Sequence, residues 1–154
     1  AITEAFNSLK LCLNKGLIVA DFSPFHCDPG YLLYGNFCYF FESETVKNWQ
    51  DAEARCNTEQ GHLVSFHSEE ELSFINGLIQ QSPTGISLWM GGHDSITEGG
   101  WAWTDGAPFR YIHWSAGNPD DYYGEDCLSI LINNGYWNDD NSGLQTASLF
   151  LCVA

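Results

Sequence analysis

The part of the chain that decides the fold class is residues 118–139, NPDDYYGEDCLSILINNGYWND. A short apolar run at residues 128–132 has the length of a strand, and the stretches on both sides are rich in Asp, Asn and Gly, which favour turns. Similar apolar runs occur at residues 88–90 and 149–153, again next to polar, glycine-rich stretches. We therefore expect short strands separated by long polar loops in the second half of the chain.

Acidic residues are concentrated in the same half. Nine carboxylates and a single base, Arg110, lie between Asp94 and Asp140, together with four of the six tryptophans. A merely solvated surface gives no reason to interleave carboxylates with aromatic residues and glycines. Crowded carboxylates repel one another, and outside cells calcium is the usual cation that stabilises them. The nine acids are Asp94, Glu98, Asp105, Asp120, Asp121, Glu125, Asp126, Asp139 and Asp140.

Length and charge exclude several classes of protein. The 154 residues are enough for one domain with a substantial core, and a hydrophobic content of 44% is typical of a globular chain. The net charge of −15 argues against nucleic acid and anionic membranes as partners, because both require a basic surface. No apolar stretch approaches the roughly 20 residues that span a bilayer.

Six cysteines at wide spacings indicate a disulfide framework made in an oxidising compartment. Zinc is disfavoured because the chain has no CxxC pair and no histidine at ligand spacing from a cysteine pair. No signal peptide is visible, so we expect a mature, secreted, extracellular chain. The cysteines are Cys12, Cys27, Cys38, Cys56, Cys127 and Cys152.

Residues 1–26 are set apart from the rest as an N-terminal arm. Phe6, Leu9, Leu13 and Leu17 recur at spacings of three and four, which predicts a short amphipathic helix. This helix is either an oligomerisation segment or an element folded back on its own domain. The domain proper is expected to span residues 27–154.

The first half of that domain is predicted to be a hairpin followed by two helices. The hairpin is bracketed by Cys27 and Cys38, and residues 45–57 have the apolar spacing of a helix. A second helix is predicted to start at Ser68, since Glu71 three residues later completes a capping box. Helices in the first half and strands in the second indicate an α+β fold.

Five motifs in a fixed order resemble those of C-type lectin-like domains, with the cysteine spacing of that family. The resemblance covers residues 27–154 and identifies the chain as similar to soluble animal lectins of the galactose or N-acetylgalactosamine type. The motifs are Trp89-Met90-Gly91-Gly92, Trp101-Ala102-Trp103-Thr104-Asp105-Gly106, Asn118-Pro119-Asp120, Glu125-Asp126-Cys127 and Trp137-Asn138-Asp139.

The resemblance implies a looped, disulfide-stapled α+β fold with two helices, two small antiparallel sheets and a long loop region that binds calcium and sugar. It pairs Cys27 with Cys38 and Cys56 with Cys152. The usual partner of Cys127 is replaced by Ser142. Cys12 and Cys127 are therefore left over. They bond to each other within or between chains, or Cys12 links a disulfide-bonded homo- or hetero-oligomer, which is the option we favour.

The resemblance also implies two calcium sites. The sugar-binding site takes oxygens from Asn118, Asp120, Glu125, Asn138 and Asp139, with a cis bond before Pro119 aiming its neighbours at one ion. An auxiliary site takes oxygens from Asp94, Glu98, Asp121 and Asp126. Carboxylate and amide oxygens are the ligands that calcium prefers.

In the family, the amide-proline-acid order of Asn118-Pro119-Asp120 goes with galactose-type sugars. The sugar-binding residues are then Asn118, Asp120, Glu125, Asn138 and Asp139 together with an aromatic ring that packs on the sugar. We expect Tyr122 to supply this ring, with Tyr123 or Trp137 as substitutes. The remaining late tryptophans, Trp89, Trp101, Trp103 and Trp114, are expected in the core.

The predicted function is multivalent carbohydrate binding, as in agglutination or innate recognition, without catalysis. Enzyme classes are disfavoured because the adjacent carboxylates Glu125 and Asp126 do not suit a glycosidase and no nucleophile elbow occurs. The alternatives are calcium-independent binding of N-acetylated sugars such as N-acetylglucosamine, or a lectin-like domain that binds ice or protein.

Overall fold

The computed structural model describes residues 26–42, 47–80, 87–143 and 149–154. The described residues contain two helices and eight strands in the α+β arrangement expected from the sequence. The predicted N-terminal helix and Cys12 lie outside the described residues. In chain order the elements are β1 (Leu32–Tyr34), β2 (Phe37–Glu42), α1 (Trp49–Thr58), β3 (His62–Leu63), α2 (Glu69–Ile79), β4 (Ser87–His93), β5 (Ala102–Trp103), β6 (Cys127–Leu131), β7 (Trp137–Asp140) and β8 (Leu149–Val153).

The strands form two antiparallel halves. The lower half contains β1, β2, β8 and β3, and the upper half contains β5, β4, β6 and β7. The two halves join where β4 runs parallel to β8, with Leu88 opposite Leu149. Strands β4, β6 and β8 coincide with the three apolar runs of the sequence. This arrangement carries the acidic loops between β4 and β7 on the upper half.

Helix α1 starts later than the predicted residue 45, because Asn48 caps it. The Asn48 side chain accepts a hydrogen bond of 2.8 Å from the backbone N–H of Asp51, and helical structure begins at Trp49. An asparagine in this role satisfies one of the free N–H groups of the first turn. The predicted residues 45 and 46 lie outside the described residues.

Helix α2 begins where the capping box predicted it. The Ser68 hydroxyl accepts a hydrogen bond from the backbone N–H of Glu71 at 3.2 Å. The Glu71 carboxylate reaches back one residue further than in the usual box and accepts from the N–H of His67 at 2.9 Å, and also from the Tyr39 hydroxyl at 2.6 Å. The cap therefore joins α2 to strand β2 as well as closing its own first turn.

Two apolar clusters fill the interior. The larger lies under α2 and the upper strands, and it includes the predicted stripe of α2 with Trp103 and Trp137. The smaller surrounds Trp49, Trp89 and Cys127, where the indole N–H of Trp49 donates to the Met90 carbonyl at 2.7 Å. Trp101 and Trp114 are half-buried against the larger cluster. All four tryptophans that were assigned to the core from the sequence thus pack against it.

Both disulfides implied by the family resemblance are present. Cys27 bonds to Cys38 across the first hairpin, and Cys56 of α1 bonds to Cys152 of β8 over a separation of 96 residues. A cross-link over a loop of this length contributes about 4–5 kcal/mol by restricting the unfolded chain. It fastens α1 to the strand that joins the two halves of the sheet.

Cys127 is a buried free thiol at the start of β6. Burial, with a smaller contribution from the negative charge of Asp126, raises the pKa of this thiol to about 12. The group therefore stays protonated at physiological pH, and a protonated thiol is a poor nucleophile. The Cys127 side chain packs in the same cluster as Trp49. The backbone N–H of Trp49 donates to the Ser142 carbonyl at 3.2 Å, so Ser142 lies close to this cluster.

Within the described ranges, no helix is both long enough and apolar enough to cross a membrane.

Replacing Ser142 with cysteine should create a disulfide with Cys127. The new bridge would close a loop of about 15 residues and raise the free energy of unfolding by about 3 kcal/mol, since the unfolded chain loses loop entropy. Thiol titration should show one buried thiol fewer than in the Ser142→Ala control. Urea unfolding with and without reductant measures the gain, and an unchanged unfolding midpoint would contradict the expected proximity.

Candidate metal centre

The candidate site forms where the segment after residue 110 meets strand β7. Trp114 and Trp137 form a parallel bridge, in which the N–H of Trp137 donates to the His113 carbonyl at 2.9 Å and the N–H of Ser115 donates to the Trp137 carbonyl at 2.8 Å. Both indole rings point toward the core. This pairing brings the loop that starts at Asn118 against Asn138 and Asp139.

Asp139 anchors that loop through its fully buried carboxylate. One carboxylate oxygen accepts from the side-chain amide of Asn118 at 2.9 Å, and the other accepts from the backbone N–H groups of Asp120 and Asp121 at 2.8 and 2.7 Å. A buried carboxylate is tolerated only when hydrogen bonds replace its lost hydration. Asp139 therefore fixes the position of the loop.

The loop backbone takes the path that the resemblance implied. The peptide bond between Asn118 and Pro119 is cis. Asp121 and Tyr123 have φ values of 47° and 63°, in the left-handed region that few non-glycine residues adopt. The Asp121 side chain closes this turn by accepting from the N–H of Glu125 at 3.0 Å.

The five residues predicted for the first site lie together. Oxygens of Asp120, Glu125 and Asp139 lie within 4.8 Å of one another, and the side chains of Asn118 and Asn138 hydrogen-bond to each other beside Asp139. The metal-ligand atoms of this set are all oxygens: those of three carboxylates, which are anionic, and those of two amides, which are neutral. That donor set suits a hard divalent cation such as calcium.

The orientation of the Asn118 amide decides whether its oxygen can be a ligand of the ion. Its nitrogen donates to Asn138 and Asp139, whereas its oxygen accepts from the Ser115 hydroxyl at 3.2 Å. A half-turn about the terminal torsion exchanges the two atoms with little change in shape. The oxygen would then face the carboxylates, so the residues present fit a cation with this one rotation.

Glu125 has a raised carboxyl pKa. Burial, followed by the negative charges of Asp139, Asp140 and Asp120, raises its pKa to about 7. A proton on Glu125 relieves the same repulsion that a cation would relieve. Asp140 was not assigned to either calcium site from the sequence. Its position directly after Asn138-Asp139 could have indicated that it lies near the first site. Ser115, which orients Asn118, left no comparable signal.

The four residues predicted for the auxiliary site also lie near one another. The charge of Asp121 is the largest cause of a raised pKa at Glu98, followed by burial and by the charges of Asp94 and Asp126. The N–H of Asp94 donates to the Asp126 carbonyl at 3.2 Å. Asp94 is buried, and one of its carboxylate oxygens accepts from the Gly99 N–H at 2.9 Å while the other has no protein partner. An uncompensated buried oxygen fits the donor set of a cation site.

The aromatic candidates differ sharply in exposure. Tyr122 and Tyr123 are 64% and 85% exposed. Their rings meet edge to face, with the ring centroids 4.3 Å apart. Trp137 is fully buried, so the expectation that it could stack on a sugar is wrong. The indole belongs to the core because residues alternate along β7, which turns Trp137 and Asp139 inward.

Similarity to known proteins agrees with this geometry. The family model described as the lectin C-type domain matches residues 45–154. The chain belongs to the C-type lectin domain family. Members of this family are generally non-enzymatic and commonly bind calcium.

The relatives include both sugar-binding and other members. The galactose-specific lectin nattectin of Thalassophryne nattereri is 33% identical over 96% of this chain and 92% of its own length. The cow carbohydrate-recognition domain of CD23, solved with an oligosaccharide, has a TM-score of 0.75 at 31% identity over 84% of this chain and 95% of that one. A calcium-independent type II antifreeze protein has a TM-score of 0.73 at 30% identity over 84% and 94%.

The raised pKa of Glu125 predicts how the calcium-free protein responds to pH. Folding raises this pKa from 4.5 to about 7, so the folded chain binds the proton more tightly than the unfolded chain does. The associated stability is complete below pH 4.5 and is lost as the pH rises through about 7. Urea unfolding in chelator across this range should show the loss.

Glu125→Gln should flatten this pH dependence, because the amide carries no titrating proton. Glu70→Gln, at an exposed position on the first turn of α2, is the matched control and should leave the dependence as in the wild type. An equal slope in the wild type and Glu125→Gln would show that Glu125 is not the titrating group.

Proposed function

We propose that the chain is a secreted, non-catalytic lectin that binds terminal galactose or N-acetylgalactosamine through calcium. The observation that carries this proposal is the convergence of Asp120, Glu125 and Asp139 within 4.8 Å, beside the amides of Asn118 and Asn138. The same five side chains provide both the ligands for an ion and the hydrogen-bonding groups for a sugar.

In this proposal the five side chains would hold the ion, with Asp120, Glu125 and Asp139 supplying carboxylate oxygens and Asn118 and Asn138 supplying amide oxygens. Bound calcium supplies open coordination positions for two vicinal hydroxyls of a sugar. Oxygens of Asp120 and Glu125 accept hydrogen bonds from those hydroxyls, and the amides of Asn118 and Asn138 donate to them. Asp139 keeps the loop in place through the backbone N–H groups of Asp120 and Asp121.

The sugar class is inferred from the order of the loop residues and from the relatives. Asn118-Pro119-Asp120 places the amide before the acid, an order that goes with galactose in the family. The name of nattectin describes a galactose-specific lectin. Tyr122 is the ring proposed to pack on the apolar face of the sugar, because it follows the loop and is exposed. Tyr123 is its substitute.

A second calcium is proposed at Asp94, Glu98, Asp121 and Asp126. The unpartnered buried oxygen of Asp94 and the raised pKa of Glu98 support it, since a cation would stabilise both groups. The two sites share one loop, because Asp120 of the first site and Asp121 of the second are adjacent in sequence. Binding at either site would therefore favour binding at the other.

We propose the extracellular space as the compartment, since two disulfides are present among the described residues. Residues 27–154 are the proposed carbohydrate-recognition domain, and residues 1–26 are proposed as an oligomerisation arm. A disulfide through Cys12 would link copies, and several copies would make binding multivalent. Multivalency raises the avidity for a cell surface above the affinity of one site.

A second candidate function is recognition without calcium. It is favoured by the amide nitrogen of Asn118, which already donates to Asp139 in place of a cation, and by the likeness to a calcium-independent antifreeze protein. In that case the exposed loop would bind an N-acetylated sugar, ice or a protein directly. The response to chelator separates the two candidates.

The first test is retention on immobilised galactose in calcium, with elution by chelator. Glu125→Gln should weaken calcium binding at least tenfold, about 1.4 kcal/mol, because a charged ligand is replaced by a neutral one. The sugar affinity should fall with it. Calorimetry with calcium alone, then with galactose at saturating calcium, measures both effects.

Asp51→Asn is the matched control for that experiment, since Asp51 is an exposed acid of α1 outside the cluster. It should bind calcium and galactose as the wild type does. Absence of heat when calcium is added to stripped wild-type protein would defeat the calcium proposal. Galactose retention that resists chelator would support the second candidate instead.

Lengthening Asn118 should strengthen the first site. Asn118→Gln adds one methylene, which lets the amide oxygen reach further toward Asp120 and Glu125. We expect calcium affinity to rise by about three- to tenfold, or up to about 1.4 kcal/mol. Asn57→Gln on the exposed face of α1 is the control for a longer amide, and titration calorimetry is the measurement. Weaker calcium binding by Asn118→Gln would contradict the proposed ligand role.

A further inference from the structure

The outer face of the β7 edge continues beyond the calcium ligands. Trp114 and Trp137 bridge in parallel register, which places His113 opposite Tyr136 and Ser115 opposite Asn138. Because side chains alternate along a strand, Tyr136 and Asn138 share the face opposite to Trp137. His113 and Ser115 share that face on the neighbouring segment.

His113 and Tyr136 on this face form a row of rings with Tyr111. The His113 ring stacks on Tyr136 at 4.4 Å with an angle of 17°, and the Tyr111 ring lies nearly parallel to His113 at 6.3 Å while its edge-to-face contact with Trp137, at 5.7 Å, ties it to the core. Tyr136 is the end ring of the row and 43% of its surface is exposed. In the described part of the chain, no further ring covers its outer side.

The other end of the row is fixed to helix α2. The Tyr111 hydroxyl donates to the Glu69 carboxylate, and the His113 ring nitrogen Nδ1 lies 4.0 Å from the same carboxylate. The Glu69 side chain is otherwise largely exposed, at 65%. These contacts fix the Tyr111 and His113 rings from the side of α2, so Tyr136 stacks on a surface that is already formed without ligand.

The row lies close to the proposed sugar site. Two residues along a strand span about 7 Å, which is the separation of Tyr136 from Asn138. That distance is comparable with the spacing of neighbouring rings in an oligosaccharide. A second sugar that extends along β7 from one bound at Asn138 would therefore reach the row.

We propose that Tyr136 and His113 form a second sugar subsite, which binds the residue linked to the terminal galactose. Tyr136 packs on the apolar face of that second sugar, and the stacked His113 ring holds Tyr136 in position. The subsite makes the protein select an extended glycan over a free monosaccharide. This inference rests on the proposed function, because the first site fixes the position of the glycan.

Calorimetry at saturating calcium tests the subsite by comparing methyl galactoside with lactose, a galactose linked to glucose. The wild type should bind lactose about three- to tenfold more tightly, as one aromatic contact allows. Tyr136→Ala should bind the two sugars equally while keeping the wild-type affinity for methyl galactoside. Tyr136→Phe keeps the ring and should retain the preference for lactose.

Phe37→Ala is the matched control, since Phe37 is an exposed ring in the lower half of the sheet. It should leave both affinities as in the wild type. A preference for lactose that survives Tyr136→Ala, or equal binding of both sugars by the wild type, would overturn the subsite. Failure of the wild type to bind either sugar would instead refute the proposed function, and the subsite with it.

Discussion

The buried carboxylate of Asp139 is the group on which the arrangement of the site depends. Its three N–H donors come from Asn118, Asp120 and Asp121, so a single side chain of β7 fixes a loop about twenty residues away in sequence. The interaction is strong because it lies out of water, where an unmatched charge would be costly. The core beneath it, with Trp137 and Trp103 packed edge to face, keeps β7 in place.

Much of the fold could be predicted from the sequence because its signals were local. The capping box at Ser68 and the apolar runs of β4, β6 and β8 predicted the correct elements, whereas both disulfides were implied by the family resemblance. The start of α1 was placed too early, because the apolar spacing around Val46 outweighed the capping role of Asn48. The parallel pairing of β4 with β8 has no local signal, since it joins segments about sixty residues apart.

The site could be predicted less completely. Motif order identified the five residues that converge, because their side-chain oxygens are visible in the sequence. The wrong role for Trp137 arose because aromatic type does not reveal which face of a strand a ring occupies, and the neighbouring Asn138 is the residue that turns outward. Ser115 and the row from Tyr111 to Tyr136 depend on a parallel bridge between distant segments, which only the tertiary structure defines.

The two disulfides of the described residues both lie in the lower half, whereas the half that carries the loops has the unpaired thiol of Cys127 in place of a covalent tie. A ligand that binds only the folded loops would stabilise them in place of a cross-link. The stability of the loops would then depend on the concentration of that ligand. The lower half is cross-linked by bonds that persist under oxidising conditions. Under the proposed function, the upper half would instead follow the calcium concentration, and a fall in calcium would release the glycan without unfolding the domain.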